Sequence, residues 1–185
     1  MTDRHEDPRS DGMMLRNHWY VAAWSADIGE TPVARVLLGE MVVLYRCADG
    51  AVAALEDRCP HRNLPLSEGR RVGDSIECGY HGLVFDAGGR CRHLPGAETP
   101  PDWARVRHYP AIERQGWVLI WMGDADAADP AAAPDFAVHR DDPDWLTVSG
   151  YTYAKCGYRL VLDNLLDLSH LAYVHSSTTG NAALA

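Results

Sequence analysis

A chain of 185 residues, 46% of them hydrophobic, holds one full domain and part of another, with enough apolar content for a core. Its 17 Lys and Arg against 26 Asp and Glu leave a net charge of −9, which excludes nucleic acid as a partner, because phosphate backbones need a concentrated basic stripe. No run approaches the roughly 18 apolar residues of a membrane helix. Five cysteines, an odd number outside any secretory context, imply free or metal-bound thiols in a reducing, cytoplasmic compartment.

In chain order, residues 1–14 are charged, lack the apolar run of a secretory signal and read as a disordered tail. Runs rich in Val, Leu, Trp and Tyr follow at 19–24, 35–38 and 41–47. "MVVLYRCADGAVAAL" predicts two strands joined at Asp49–Gly50. "LVFDAGGRCRHL" repeats the pattern around Gly88–Gly89, and "YPAIERQGWVLIWMG" does so around Gln115–Gly116. Short strands with regular turn signals predict an all-β antiparallel domain over 15–123, a sandwich or small barrel. Residues 124–145 are Ala, Asp and Pro without a sustained period, and read as a linker. From 146 onward "LTVSGYTYAKC" alternates like a strand and "YRLVLDNLLDLSHLAYV" has helical leucine spacing, so 146–185 reads as the α+β beginning of a second domain.

Four metal-ligand residues stand in "DRCPHRNLPLSEGRRVGDSIECGYHG", residues 57–82. Cys59 is followed by His61, and Cys78 by His81. Small zinc modules usually group Cys with Cys and His with His, each pair on one turn. Here each turn offers one thiolate and one imidazole, which fits two adjacent metals, each loop sending its Cys to one and its His to the other. A Rieske [2Fe–2S] centre has that ligand set. Two ferric ions, two sulfides, two thiolates and two neutral imidazoles sum to zero charge. A four-thiolate cluster is more negative, so the mixed centre is easier to reduce, with a potential in roughly the −150 to +300 mV range. The thiolates suit a buried iron, and the imidazoles keep their outer edges near solvent. Gly79 and Gly82 would let backbone approach the cluster. A zinc-binding structural module is the alternative on these residues alone.

The second constellation is "DNLLDLSHLAYVH". Asp167 and His170, three apart, share a helix face. His175 lies five beyond His170, about 140° round an ideal helix, so both histidines meet one metal only where the helix ends or loosens. Incidental histidines on an amphipathic helix are the alternative.

Cys59-Pro-His61, sixteen residues, then Cys78-Gly-Tyr-His81-Gly resembles the Rieske signature of the ring-hydroxylating oxygenases. "LPG" at 94–96 resembles that family's cluster-covering proline loop, and Asn164, Asp167, His170 and His175 match its N-x2-D-x2-H-x4-H motif. "NHWYVAAW", "EDRCPHRNLPLSEG", "CGYHGLVFD" and "YRLVLDNLLDLSHLAYVHSS" look most like the oxygenase (alpha) subunits of the vanillate O-demethylase branch, over the N-terminal portion of such a chain.

The resemblance implies that Cys59, His61, Cys78 and His81 hold the cluster and that His170 and His175 hold a mononuclear Fe(2+), as part of a 2-His-1-carboxylate site. It implies that Asp167 relays electrons by hydrogen-bonding the residue matching His81 in a neighbouring subunit, with Asn164 a more distant contact. The family's carboxylate ligand comes much later, and ten residues follow His175, so the second domain reads as incomplete and this form as inactive alone. The implied reaction is O2-dependent hydroxylation of an O-methyl group on a small aromatic acid, the hemiacetal collapsing to a phenol and formaldehyde. The implied partners are a reductase with flavin and iron–sulfur centres and two further copies in a homotrimer. A stand-alone Rieske ferredoxin-type carrier is the alternative, and it leaves the Asp167–His175 segment without a purpose.

Other residues take plainer roles. Cys47, Cys91 and Cys156 fall on expected strands and read as small buried hydrophobes. His18, His93, His108 and His139 lack ligand spacing, Trp117 and Trp121 are expected to pack the sandwich, and the Asp run at 141–144 to be a solvated loop.

Overall fold

The run Val42-Val-Leu-Tyr45 is apolar at consecutive positions, the signature of a strand buried on both faces. The computed structural model, which describes residues 14–135, 143–146, 148, 150–175 and 177–178, places it there. The strands are β1 (His18–Trp24), β2 (Val33–Leu37), β3 (Glu40–Arg46), β4 (Val52–Glu56), β5 (Arg70–Val72), β6 (Ser75–Glu77), β7 (Val84–Asp86), β8 (Cys91–His93), β9 (Ala111–Arg114) and β10 (Trp117–Met122). They form three antiparallel sheets, ordered β1-β10-β9, β2-β3-β4 and β5-β6-β7-β8.

Side chains alternate along β3. Val43 and Tyr45 join a core with Leu55, Leu66, Ile76, Leu83 and Phe85, while Val42 and Leu44 join another with Val118, Ile120 and Met122. The β2-β3-β4 sheet is therefore the middle layer of three. The all-β antiparallel expectation holds, with three sheets in place of two.

The predicted turns at Asp49–Gly50, Gly88–Gly89 and Gln115–Gly116 join β3 to β4, β7 to β8 and β9 to β10. At the last, Gln115 (φ 53°) and Gly116 (φ 83°) are both left-handed, the type I′ geometry that matches strand twist across a two-residue loop. Trp121 is buried against Trp19, ring centroids 5.5 Å apart, and Trp117 stacks on Trp24. The start of the Ala/Asp/Pro stretch is ordered by packing. Single 3₁₀ turns at Ala125–Ala127 and Pro130–Ala132 lead to buried Ala133, which meets the outer face of β10. The Trp19 indole donates to the Asp129 carbonyl at 2.8 Å.

The chain divides into two compact units, 1–141 and 142–185. The described part of the second holds α1 (Tyr158–Leu166), a 3₁₀ turn at Leu168–His170 and α2 (Leu171–Val174). The described residues of the alternating segment 146–156 pair with no strand, and Tyr151 and Tyr153 are exposed. Alternation makes a strand only beside an edge that accepts its hydrogen bonds. Cys156, expected to be buried there, is exposed for the same reason. Among the described residues no helix is long and apolar enough to cross a membrane. The tail 1–13, His139 and Asp141–Asp142 lie outside the described residues.

Candidate metal centres

The two loops that carry the alternating Cys and His share one backbone frame. In each, the cysteine N–H donates to the carbonyl of the leucine five residues on: Cys59 to Leu64 and Cys78 to Leu83, both at 2.8 Å. In each, the N–H four residues on returns to the cysteine carbonyl, from Asn63 at 2.8 Å and from Gly82 at 3.0 Å. That closure is an α-turn. The residue completing it is left-handed both times, Asn63 (φ 59°) and Gly82 (φ 71°), types that tolerate this region. The first loop leaves β4 and the second joins β6 to β7, so the centre hangs from the middle and outer sheets together.

Burial then sorts the donors. Cys59 and Cys78 are 1% and 2% exposed, packed with Leu66, Ile76, Leu83 and Phe85. His61 and His81 are exposed, with ring centroids 4.6 Å apart. Sulfur points inward and nitrogen outward, the division expected for one thiolate-held and one imidazole-held iron. A single tetrahedral zinc would draw its donors to within about 4 Å of one another, given Zn–S near 2.3 Å. Among the described residues only Cys47, Asp49 and Asp74 have three ligand atoms all within 4.8 Å of one another, so no three of Cys59, His61, Cys78 and His81 meet that spacing. The two aspartates of that trio are engaged in turns, Asp74 accepting from the Ala48 N–H and Asp49 from the Ala51 N–H.

The backbone locks the loops to each other. A Cβ at Gly69 would fall 2.0 Å from the Glu77 carbonyl oxygen, and one at Gly79 would fall 2.9 Å from that of Glu68. Gly79 is thus small to admit the neighbouring loop's backbone, whereas the sequence reading gave that space to the cluster. Asp57, only 3% exposed, accepts from the Ser67 N–H (2.7 Å) and hydroxyl (2.6 Å), tying the first loop to the turn at Leu66–Glu68. Pro95, in the loop expected to cover the centre, lies 3.5 Å from where a Gly82 Cβ would sit. Tyr80 stacks on His81 at 4.0 Å, and Trp103 lies 6.4 Å from His61, both centroid to centroid. Neither aromatic was singled out by the sequence. Tyr80 sits inside the ligand motif, but nothing local to Trp103 ties it to His61.

Without metal, the Cys59 thiol is pushed up to about 11, chiefly by burial and then by the neighbouring Cys78 thiol, against the pull of the His61 and Arg62 N–H groups. Cluster loading at neutral pH must therefore release thiol protons. A folded value raised above the ordinary 9 means that the unfolded chain gives up its proton first, so this contribution is complete below pH 9 and lost as pH rises through about 11. Tyr45 and Tyr109 are also raised by burial and act in the same direction at higher pH. The cluster-free chain is expected to melt at progressively lower temperature between pH 9 and 11, and a Tm unchanged across that interval would contradict the assignment.

In the second unit the helix breaks before both histidines, not between them, where the spacing had asked for it, and the short α2 separates the two. Asp167 ends α1 with extended backbone (φ −84°, ψ 91°), and His175 lies just past the end of α2. The His170 and His175 rings come to 5.3 Å, centroid to centroid. The His170 Nδ1 meets the Asp167 carbonyl. The Asp167 carboxylate caps the 3₁₀ turn, accepting from the Ser169 N–H at 3.0 Å and from its hydroxyl. Those bonds hold it below the ordinary aspartate range. Asn164 is exposed on α1, one turn earlier.

Paired Cys/His loops on an antiparallel framework define a Rieske-type iron–sulfur domain, and the family profile described as "Rieske [2Fe-2S] domain" matches residues 18–110. A second profile, "Vanillate O-demethylase oxygenase C-terminal domain", matches residues 154–185. The oxygenase component of dicamba O-demethylase from Stenotrophomonas maltophilia is 49% identical over 162 residues, covering 87% of this chain and 48% of that one. The vanillate O-demethylase oxygenase subunit of Pseudomonas sp. (strain HR199 / DSM 7063) is 39% identical over 172 residues, covering 91% and 47%. A crystal structure of dicamba monooxygenase with non-heme iron and dicamba superposes with a TM-score of 0.78 at 47% identity, over 85% of this chain and 48% of that one. The chain belongs to the Rieske non-haem iron oxygenases of the vanillate O-demethylase type. It spans about half the length of the curated relatives it matches.

Proposed function

We propose that this chain is the electron-receiving part of an oxygenase component, in which Cys59, Cys78, His61 and His81 hold a [2Fe–2S] cluster and His170 and His175 contribute to a mononuclear Fe(2+) site. The observation that carries the reading is the sorting of donors, two buried thiols below two exposed imidazoles on loops of one backbone frame. The donor set fits the group. Bound there, the cluster stores one electron at a time near its imidazole edge, and the ferrous site supplies O2 chemistry. The protein's own contribution is to keep the sulfur side dry in the Leu66–Phe85 core and to present the His61 and His81 edges outward. Asp167, its backbone carbonyl on His170 and its carboxylate outward in the 3₁₀ turn, has the relay role.

The reaction is O2-dependent O-demethylation or hydroxylation of a small aromatic compound, with a vanillate-like aromatic acid as first choice. Two relatives named as O-demethylases favour the former. Electrons come from a reductase with flavin and iron–sulfur centres, the protein works as a homotrimer in the cytoplasm, and a stand-alone carrier is disfavoured because residues 154–185 match an oxygenase catalytic-domain profile.

Iron and acid-labile sulfide analysis of purified protein tests the cluster, with two of each and a visible chromophore bleached by dithionite as the expected result. Tetrahedral zinc without sulfide would overturn it. Formaldehyde release from vanillate in the presence of the reductase, by a chain that also carries the half its relatives add, tests the reaction, and no release there would overturn it.

A further inference from the structure

Among the described residues, the buried ones include a single polar or charged residue, Asp57, at 3% exposure. It stands just past the end of β4 and two residues before Cys59, where its own N–H donates to the Met41 carbonyl at 2.9 Å. Both carboxylate oxygens accept from one residue, Oδ1 from the Ser67 N–H at 2.7 Å and Oδ2 from the Ser67 hydroxyl at 2.6 Å. An O–H···O bond that short is of the charge-assisted kind, the geometry of an ionised carboxylate. Among the described residues no ion pair includes Asp57. Arg58, next in the chain, is exposed, and its Nε donates to the Asn63 amide oxygen at 2.8 Å.

A tie between loop and strap does not need a charge. Asparagine has the same shape, and would accept the Ser67 N–H through Oδ1 while its amide met the hydroxyl. Burying an unpaired charge costs far more than burying a neutral amide. The surroundings show what the charge acts on. Ser67 follows Leu66, which is fully buried in one core with Cys59 and Cys78. Through that neighbour the carboxylate is tied to the dry, sulfur side of the centre, where water screens a charge least.

We propose that Asp57 lowers the potential of the cluster through its buried negative charge, while its two bonds to Ser67 hold the Cys59 loop in place. The proposal rests on the functional reading above and adds to it a positioning residue outside the ligand set. With neutral imidazoles the oxidised centre is uncharged, and one electron from a reductant takes it to −1 with no atom transferred. A fixed anion in the same interior raises the energy of the −1 state and leaves the neutral one nearly unchanged. The reduced centre is thereby a stronger electron donor to the ferrous site.

The test is redox titration of the cluster-loaded chain with dithionite at about pH 8, above the range in which carboxylates ordinarily titrate. Visible absorption gives the midpoint potential, and electron paramagnetic resonance reads the reduced centre. Asp57→Asn is expected to raise the reduced-to-oxidised ratio at the wild-type midpoint about tenfold, a shift of about +59 mV for one electron. Ser67→Ala keeps the charge and withdraws a donor that offsets it, so the ratio is expected to fall about threefold. Glu68→Gln removes the same unit charge from an exposed side chain one residue on, and is expected to change the ratio by less than about twofold. The resonance of the reduced centre should be the same in wild type and all variants. An unmoved or lowered potential in Asp57→Asn overturns the proposal. So does a Ser67→Ala potential that stays or rises, because displacement of the Cys59 loop would move both variants alike. An equal rise in Glu68→Gln assigns the shift to overall charge, an altered resonance in Asp57→Asn assigns it to the ligands, and either overturns the proposal. If Asp57→Asn loads no cluster, the sign of the Ser67→Ala shift decides alone. Absence of iron and sulfide from the wild-type chain would instead sink the functional reading, a separate result from an intact cluster whose potential does not respond to Asp57.

Discussion

Serine at Cys59 or Cys78 is expected to empty the centre, taking iron and sulfide from two of each per chain to less than a tenth of that and abolishing the visible chromophore. A hydroxyl is a far poorer ligand for iron than a thiolate, and both positions lie where water cannot substitute, at 1% and 2% exposure. The same burial complicates the experiment, because an unpartnered hydroxyl in a core costs about 1–3 kcal/mol whether or not metal is lost. Cys47→Ser separates the two effects. Cys47 is buried at 8% in the same core but stands outside both loops, so its serine should destabilise the chain comparably and leave iron and sulfide at wild-type content. Alanine at His61 or His81 should also lose the centre, at little cost to the apo fold, because these rings are exposed. If Cys47→Ser loses as much iron as Cys59→Ser, the cluster assignment falls to a folding effect.

What the sequence disclosed follows the range of the interactions. The ligand pairs were legible because Cys59 with His61, and Cys78 with His81, each lie within one turn, and a local motif carries its own chemistry. The hairpins at Asp49–Gly50 and Gln115–Gly116 were legible because turn geometry selects residue types directly. The break after α1 was not implied by spacing: the five-residue step asks for a loosening between His170 and His175, whereas α1 ends before both, at Asp167, and Leu171–Val174 between them is helical. Trp103 beside His61, and Asp57 beneath Ser67, depend on chain segments meeting in space, and no periodicity encodes that. The segment before Cys156 failed for the converse reason: its alternation is local, but a strand exists only with a partner. The 3₁₀ turns at 125–132 look featureless in composition because alanines packed on β10 carry no period of their own.

The largest effect on the fold is expected from a residue that ligates nothing. Gly69 has an ordinary backbone conformation (φ −94°, ψ −151°), so its need for glycine is one of space. An added methyl would sit 2.0 Å from the Glu77 carbonyl oxygen and 3.0 Å from that of Leu66, backbone atoms that no rotamer change can move. Relief requires the strand entering the second loop to move off the strap leaving the first, which displaces Cys78 from Cys59. Gly69→Ala should therefore lower stability by about 3 kcal/mol or more, in the range of severe overpacking, and lower cluster content with it. Gly29→Ala is the matched control: nothing lies within 4 Å of its added carbon, so it should be neutral or stabilise by about 0.4–1 kcal/mol through the unfolded chain. Urea midpoints with unchanged m values give the stability difference, and iron per chain gives the geometric one. A Gly69→Ala chain that unfolds at the wild-type midpoint and holds two irons would show that the loops are placed independently, and the backbone contact between them could no longer explain how two distant cysteines come to face one cluster.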